Sequence, residues 1–415
     1  MGSGVASARP VKRAVLAVAA VCLAASLVVG SASAASAAKG SPHPAGTWTL
    51  VDSAAQGGSA IIPEGWEPVG MLFTDAAHGW LLCGDTGAGG RFVNLHTADG
   101  GKTWREQPAP FSGDKTLYDF PDPVNGWAVM QLERGDSFYV AISHTTDGGN
   151  HWQRVSLPWN GSPGDPAQDW ATYLGLLGGL DFSRGGNGWI VGSEQVVADG
   201  FETTQHGIVW HTSDGGGSWA GSPLGQDEYA TDVVATGPDS AIVVGYRQRA
   251  TLIVGFIIST SNGGRTWSRQ DVGERLLDIA FSDLRTGWIW GRDQAGTLLL
   301  RSTDGGLTWA KLLHSQGALG VPVFVDHRHG TFERVVEDQL PWRKVSMLTT
   351  DGGETWSEGE IAGLLPEELT EPSGPFWYAV VNPALRWAFS YTADWQLGLW
   401  RWTPTGAPLS PVLVD

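Results

Sequence analysis

The sequence contains little cysteine and few charged residues. It has two cysteines, and one of them, Cys22, lies in an apolar run near the N-terminus. Once that run is removed, Cys83 is the single thiol left, so an intrachain disulfide is excluded and stability must come from packing. We expect Cys83 to be buried and inert. Charged residues make up only 17% of the chain, which is low for a solvated helical protein.

Positive charge is scarcer still, with 26 Lys and Arg against 43 Asp and Glu and a net charge of -17. An acidic surface repels phosphate backbones and anionic headgroups, so we expect neither nucleic acid nor membrane as a partner. No phosphate-binding loop before a helix, Ser-His-Asp order or Cys-His pair is present. We therefore expect no cofactor and no metal.

The first residues have the pattern of an export signal. Arg9, Lys12 and Arg13 precede an apolar run that ends in small residues, with an Ala-x-Ala cleavage site at 32–34. We divide the chain into residues 1–38, a signal peptide with a short small-residue tail, and residues 39–415, a folded domain. An uncleaved membrane anchor is the alternative. Export predicts a secreted, extracellular or cell-envelope protein without membrane insertion.

Glycine and tryptophan are abundant instead, with 58 and 22 residues. An element that we call the Asp box, Ser/Thr-x-Asp/Asn-Gly-Gly-x-x-Trp, recurs six times at intervals of 42 to 67 residues. Its acid or amide and its tryptophan are Asp99 and Trp104, Asp147 and Trp152, Asp214 and Trp219, Asn262 and Trp267, Asp304 and Trp309, and Asp351 and Trp356. Such periodicity indicates a repeat architecture.

The residue types of the box suit a tight turn between strands. An Asp or Asn side chain accepts hydrogen bonds from nearby backbone N–H groups, and two glycines allow positive φ. The tryptophan then begins the next strand and fills space between sheets. Because the acid occupies the same turn in every repeat, we predict a structural role for it. We predict no catalytic residue in the chain.

A Gly-Trp turn about twenty residues before most boxes completes a four-stranded antiparallel unit. It occurs as Gly79-Trp80, Gly126-Trp127, Gly188-Trp189 and Gly287-Trp288. The fold predicted is an all-β, single β-propeller with seven four-stranded blades, six of which carry boxes. The boxless blade would combine residues 376–402 with an N-terminal strand at 46–51, which closes the ring and removes exposed sheet edges. Six blades with a trailing hairpin are the alternative.

These boxes and Gly-Trp turns resemble the BNR/Asp-box propeller superfamily, most closely its photosystem II stability and assembly factor-like group with the sialidase-like fold. The resemblance implies an exported or lumenal propeller. It is almost silent about function, since the superfamily also includes sialidases and other glycan-active enzymes. The chain lacks the Arg-Ile-Pro motif of sialidases.

Binding residues are expected where irregular loops interrupt the repeat, on the face formed by second-to-third-strand loops and blade-to-blade links. We call this the loop face. Exposed aromatic side chains beside arginines suit a sugar or a peptide segment. The candidate ligand-binding residues are Trp159, Trp170, Tyr173, Arg247, Arg249, Arg292, Trp342 and Arg343.

The function predicted is a secreted, non-enzymatic binding or assembly propeller. Its expected partner is a protein or a cell-envelope polysaccharide, and the chain is expected to be a monomer. The alternative is a glycan-active enzyme, a glycosidase or lyase of the Asp-box type. An enzyme would need two carboxyl groups facing each other, at least one with a pKa perturbed by burial.

Overall fold

The structure is a computed structural model in which every regular element of the described residues is a β-strand. It describes residues 46–53, 62, 66–85, 92–111, 116–134, 137–155, 171–173, 176–198, 202–249, 252–292, 296–315, 322–336, 343–358, 376–382, 385–391 and 397–404. The predicted signal peptide lies outside these ranges. Within them, no helix has the length and apolar character needed to cross a bilayer.

The strands follow one another in the order of the repeats. The first, β1, spans Gly46–Ser53. Blade 1 contains β2 (Trp66–Phe73), β3 (Gly79–Asp85), β4 (Phe92–Thr97) and β5 (Arg105–Gln107). Blade 2 contains β6 (Thr116–Asp119), β7 (Gly126–Arg134), β8 (Ser137–Thr145), β9 (Gln153–Val155) and β10 (Ala171–Tyr173). Blade 3 contains β11 (Leu176–Phe182), β12 (Gly188–Ala198), β13 (Glu202–Thr212) and β14 (Ala220–Gln226).

The remaining blades repeat this pattern. Blade 4 contains β15 (Glu228–Gly237), β16 (Ser240–Arg249), β17 (Leu252–Thr260) and β18 (Ser268–Val272). Blade 5 contains β19 (Arg275–Phe281), β20 (Gly287–Arg292), β21 (Thr297–Ser302) and β22 (Ala310–Ser315). Blade 6 contains β23 (Val323–Phe324), β24 (Gly330–Val336), β25 (Arg343–Thr349) and β26 (Ser357–Glu358). Blade 7 contains β27 (Phe376–Asn382), β28 (Leu385–Tyr391) and β29 (Leu397–Pro404), with β1 as its fourth strand.

The sheets form a propeller ring, which confirms the predicted fold class. Six antiparallel sheets have four strands each, and this number equals the blade count of the six-blade alternative. The sheet of blade 2 has five strands. In that sheet β9 pairs with residues 142–144 of β8 and β10 pairs with residues 139–141, so two short strands share the outer position. The N-terminal strand β1 pairs with β29 from Gly46 to Ser53, which joins the two ends of the chain in one sheet.

The hydrophobic core lies in the seams between neighbouring blades. One cluster joins Trp127 and Ile142 of blade 2 to Phe182 and Ile190 of blade 3, and similar clusters fill the next two seams. In blades 3 and 4, the sheet before and the sheet after therefore cover the two faces. This explains the apolar runs in the second and third strands, which would otherwise alternate with polar residues.

The tryptophan of each Gly-Trp turn fixes a seam. Trp127 is 1% exposed and stacks on Phe182 of the next blade, with ring centroids 4.1 Å apart. Its indole N–H donates to the carbonyl of box residue Gly215, also in the next blade, at 3.3 Å. The same stack joins Trp80 to Phe120 at 3.9 Å and Trp288 to Phe324 at 3.7 Å. Blades 1, 2 and 5 are thus each anchored to the next blade by a stacked aromatic pair.

The Asp box joins the third and fourth strands of its blade. In the first box, Asp99 accepts from the backbone N–H and the hydroxyl of Thr103, at 2.9 and 2.6 Å. Gly100 and Gly101 have φ of 74° and 84°, a left-handed backbone that favours glycine. Trp104 donates to the carbonyl of Gly101 at 3.1 Å. All six boxes place both glycines at positive φ, so the sequence repeat corresponds to six equivalent turns.

Gly126 of the Gly-Trp turn is expected to tolerate no larger side chain. A Cβ at this position would lie 2.3 Å from the ring of Phe120, which packs over the glycine. Gly126→Ala should therefore lower the free energy of unfolding by about 1–3 kcal/mol, the usual cost of overpacking. Urea denaturation measures the change. Gly273→Ala is the matched control because a Cβ there meets nothing within 4 Å, and an equal loss in both variants would contradict the steric explanation.

Candidate functional site

The two faces of the ring differ in composition. Boxes and Gly-Trp turns lie together on one face, which we call the box face, because a box glycine N–H bonds to each first-to-second-strand turn, as from Gly100 to Ala77 at 2.8 Å. The second-to-third-strand hairpins lie at the other ends of the strands, on the loop face. Candidate binding residues must therefore be sought where second strands end and first strands begin.

Three of the predicted arginines lie on the loop face of two adjacent blades. Arg247 and Arg249 end β16 of blade 4, and Arg292 ends β20 of blade 5. Arg249 and Arg292 are exposed, and Arg249 lies 3.6 Å from the carboxylate of Asp227. Across the sheets, Arg247 is opposite Glu228 and Arg292 is opposite Arg275.

The structure does not bring the other candidates into this group. Trp159, Trp170 and Trp342 lie outside the described residues. Tyr173 was predicted in a loop, but it belongs to β10 and pairs with Tyr139 at the outer edge of blade 2. Arg343 begins β25 of blade 6, opposite Val336. The 67-residue interval between the second and third boxes includes a long β12–β13 hairpin in blade 3, whose residues pair continuously up to Ala198 and Glu202.

Three side chains that the sequence did not single out form the centre of the site. Tyr229 stacks on Tyr246 at 5.0 Å between ring centroids. Arg275 of blade 5 reaches across the seam to blade 4, where its guanidinium lies 4.1 Å from the Tyr246 ring centroid and donates to the Tyr246 hydroxyl at 2.7 Å. Only the positions of these residues in the sequence could have indicated the site. Tyr246 precedes the candidate Arg247, and Tyr229 and Arg275 lie at the starts of inner strands. We call these three residues with Arg292 the Tyr-Arg cluster.

Most acids around the cluster are already paired. Glu228 is buried and forms an ion pair with Arg269 at 3.0 Å. Its carboxylate also accepts a hydrogen bond from the backbone N–H of Gly225 at 2.8 Å. Glu274 forms an ion pair with Lys311, with 2.6 Å between Oε1 and Nζ. Among the described residues, no acid contacts Arg275 or Arg292 within 4.0 Å. The two arginines are thus cross-strand neighbours on one sheet with no acid in contact among the described residues, an arrangement that repels in the absence of an anion.

The link that leads into blade 4 is held in an uncommon backbone conformation. Asp227 has φ of 61°, the only described non-glycine residue at positive φ. Its carbonyl accepts from the N–H of Gln248 at 3.0 Å, which ties the link to the end of β16. Such conformations persist where surrounding contacts fix them, and they concentrate at functional sites. Here the contact fixes the start of the strand that carries Tyr229.

The phenol of Tyr229 stays neutral at physiological pH. Burial raises its pKa, the neighbouring Tyr246 and Asp227 add to the rise, and Arg275 opposes it. The cluster therefore offers a neutral phenol as a hydrogen-bond donor near the guanidinium group of Arg275, with Arg292 opposite Arg275 in the same sheet. Such a set can bind a carboxylate, sulfate or phosphate and stack on an apolar ring face.

A second group of residues that sequence reasoning missed is a row of carboxyls on four consecutive inner strands. The four are Asp119 of blade 2, Asp181 of blade 3, Asp232 of blade 4 and Asp278 of blade 5. Three of them accept a backbone N–H of the next blade: Asp119 from Phe182, Asp181 from Ala235 at 2.7 Å, and Asp232 from Ile279 at 3.1 Å. Burial raises the pKa of all four. These carboxyls satisfy the otherwise unpaired edges of the inner strands.

Three histidines that precede boxes each stack on a tryptophan of their own blade. His96, His144 and His211 stack on Trp80, Trp127 and Trp189 of their own blades, at 4.9, 4.4 and 4.0 Å. Burial lowers the pKa of each, that of His96 to about 4.

Burial also raises the pKa of Cys83 to about 12. Among the described residues, no three His, Cys, Asp or Glu side chains converge as metal ligands would.

The geometry of the carboxyls bears on catalysis. Glycosidases hold two carboxyl groups about 5–9.5 Å apart with the sugar between them. Asp232 accepts from the backbone N–H of Ile279 at 3.1 Å, and the charge of the neighbouring Asp278 adds to the rise of its pKa that burial causes. What the described loop face offers is a set of binding groups.

No protein-family model matches the sequence. No curated protein matches it either. Solved structures similar in fold include a Trypanosoma rangeli sialidase in complex with sialic acid, 14% identical, with 84% of this chain and 60% of that chain covered and a TM-score of 0.37. An ulvan lyase of polysaccharide lyase family 25 is 10% identical, with 82% and 92% covered and a TM-score of 0.43. A TolB-like protein from Agrobacterium tumefaciens is 13% identical, with 71% and 92% covered and a TM-score of 0.36. The chain is similar to these proteins as a β-propeller, and it spans about 60% of the sialidase.

Proposed function

We propose that the protein is a secreted, non-enzymatic binding propeller that recognises an anionic group of a protein or cell-surface polymer at the Tyr-Arg cluster. The observation that carries the proposal is the pair Arg275 and Arg292, opposite each other on the loop face without an acid in contact among the described residues. The resemblance of the boxes to the BNR/Asp-box superfamily, and to its assembly-factor group, implies an exported or lumenal propeller. The signal-like N-terminus supports export.

The chemistry of the cluster defines what the ligand must provide. Two guanidinium groups favour a planar carboxylate, a sulfate or a phosphate, which accept several N–H bonds at once. The phenol of Tyr229, partly exposed beside Tyr246, adds a flat surface for a sugar ring or an apolar side chain. The net charge of -17 makes non-specific capture of anions weak, so binding depends on this local arrangement.

The alternative, a glycan-active enzyme, would require two carboxyls across a cleft. On the described loop face, Glu228 and Glu274 are each occupied by a cation. Turnover of a chromogenic glycoside or polysaccharide by the purified chain would overturn the proposal of a non-enzymatic role.

The binding proposal predicts a strong effect of removing both guanidinium groups. In the double variant Arg275→Gln and Arg292→Gln, two charge-assisted interactions are lost, so we expect binding at least tenfold weaker. The assay is capture from a cell-envelope extract by the immobilised chain, followed by titration of the captured protein or polysaccharide. Binding of the wild type should also weaken as salt is raised, because exposed charges are screened.

A matched control separates this site from general charge effects. Arg265 is exposed in a box turn on the box face, and Arg265→Gln removes one positive charge there. We expect this variant to bind like the wild type. If the double variant retains full affinity, or if Arg265→Gln weakens binding equally, the Tyr-Arg cluster is not the binding site.

A further inference from the structure

A cavity of about 40 Å³ lies in the seam between blades 5 and 6. The inner strands β19 and β23 and the second strand β20 supply most of its walls, so it lies beside the central channel of the ring. This volume exceeds the space that one water molecule needs, and it suits a small group at the end of a larger ligand. The cavity is separate from the Tyr-Arg cluster, which lies in the seam between blades 4 and 5.

The cavity lies where the row of hydrogen bonds from carboxyls to the next blade ends. In the seam between blades 4 and 5, Asp232 accepts from the N–H of Ile279 at 3.1 Å, and Ile279 lies two residues before the end of β19. The residue two before the end of β23 is Pro322, which lines the cavity together with Asp278. Because proline carries no N–H, blade 6 offers Asp278 no donor at this position.

The cross-strand partner of Asp278 also differs from that of the equivalent acid in blade 4. Asp278 is opposite Trp290, whereas Asp232 is opposite Val244, which packs in an apolar cluster. Among the tryptophans whose buried indole N–H lacks an acceptor within the described residues, Trp290 is the one that lines this cavity. The indole N–H of Trp288, which also lines it, donates to a box carbonyl of blade 6 at 2.9 Å. A buried donor without an acceptor indicates that a partner is missing.

These two polar side chains define which ligand group fits. The group has to accept from the indole N–H of Trp290 and also form a hydrogen bond with the carboxyl of Asp278. A hydroxyl does both, since it carries one donor and two acceptor lone pairs. An ammonium group would leave the indole without an acceptor. It would also need an ionised carboxyl, which burial disfavours by raising the pKa of Asp278.

We propose that the cavity binds the hydroxymethyl group of a neutral sugar that enters from the central channel. The hydroxyl accepts from Trp290 and bonds to Asp278, and Phe281, Phe324 and Trp288 supply apolar walls for the methylene carbon. The sugar ring remains in the channel, because the cavity holds only the terminal group. The proposal is independent of the proposed function, since no residue of the Tyr-Arg cluster lines the cavity.

Nuclear magnetic resonance of the full chain, with ¹⁵N in the tryptophan indoles, tests the site. The probes are methyl β-glucopyranoside and methyl β-xylopyranoside, which differ only in the hydroxymethyl group. The glucoside should shift the indole signal of Trp290 saturably, with a dissociation constant on the order of 1–10 mM for so small a ligand. The xyloside should leave this signal in place at concentrations that saturate the glucoside site. The Trp290 signal is identified by its absence in Trp290→Phe.

Pro322→Ala adds the backbone N–H that blade 6 lacks. The new N–H can donate to Asp278 as that of Ile279 does to Asp232, so it competes with the ligand hydroxyl. We expect the glucoside to bind about fivefold more weakly to this variant. Pro223→Ala makes the same change at an exposed position of the outer strand β14, and it should bind like the wild type.

The comparison of the two glycosides needs only the wild type, so it decides the matter even if Pro322→Ala does not fold. If the glucoside leaves the Trp290 signal unshifted, the cavity holds water alone and the proposal is wrong. Equal shifts with both glycosides, or full affinity in a folded Pro322→Ala, would overturn it as well.

Discussion

Trp127→Ala is expected to lower the free energy of unfolding by about 3–5 kcal/mol, the range for deletion of a fully buried large aromatic side chain. Trp127 is 1% exposed and stacks on both Phe182 and His144, at 4.1 and 4.4 Å. Its loss opens a cavity in the seam between blades 2 and 3. It also leaves the carbonyl of Gly215 without the indole donor.

The position of this tryptophan in a ring makes the effect measurable. Because β1 pairs with β29, both ends of the chain are held in one sheet of the ring, so weakening one seam destabilises the closed structure as a whole. Equilibrium denaturation in urea, monitored by circular dichroism, gives the change. Leu307→Ala is the control because Leu307 is 79% exposed in a box, and it should change stability by less than about 0.5 kcal/mol. A loss below about 1 kcal/mol in Trp127→Ala would show that the seam does not depend on the stack.

The periodic elements were predictable because their physics is local. A box places two glycines at positive φ and a capping acid within a few residues, so the turn follows from the residue types alone. The closing strand was also predictable, since the ring otherwise leaves the edge of β29 open, and residues 46–51 had an apolar strand pattern. Every box lies where a third strand meets a fourth, as from β4 to β5.

The Tyr-Arg cluster depends on contacts between repeats, which no local pattern reveals. Arg292 was singled out because cations are scarce, yet its cross-strand neighbour Arg275 was not, because their pairing depends on the register of β19 against β20. Tyr229 and Tyr246 lie in different strands and meet only when β15 and β16 pair. The outer strand β10 was missed for the same reason, since three residues acquire strand structure by pairing with β8.

The row of carboxyls was missed in the sequence for a different reason. Asp119 ends β6, and Asp181 stands directly before Phe182, which ends β11, so each acid would be read as the start of a polar turn. Only the ring brings the edge of one inner strand within reach of the next blade's side chains. A buried acid at a strand end is therefore ambiguous until the neighbouring blade is known.

The row of carboxyls on the inner strands predicts that stability falls as pH rises. Carboxyls whose pKa is lowered by folding have the opposite effect. Burial raises the pKa of Asp181 to about 7, from 3.8 for the free side chain. Between these values the folded protein keeps a proton that the unfolded chain has lost. The contribution to stability is therefore complete below about pH 3.8 and is lost as pH rises towards 7, at about 1.4 kcal/mol per pH unit for one proton.

Asp181→Asn should remove this dependence, because the amide cannot ionise and its oxygen can still accept from Ala235. The variant should gain stability relative to the wild type as pH rises through this window. Removal of the charge of Asp181 also relieves Asp119, whose pKa it raises. Urea denaturation at several pH values between about 4 and 8 measures the difference in slope.

Asp214→Asn supplies the control for the opposite electrostatic situation. The hydroxyl and N–H of Ser218 lower the pKa of this box acid to about 2, from 3.8 for the free side chain, so it is ionised in both states over the window above about pH 5. Asn262 already fills the equivalent position in blade 4 and donates to Thr266 at 2.8 Å, so the amide is compatible with the turn. The control should shift stability equally at every pH. Parallel curves for Asp181→Asn and the wild type would mean that Asp181 is ionised in the folded protein, and the seam between blades 3 and 4 would then contain a charge instead of a proton.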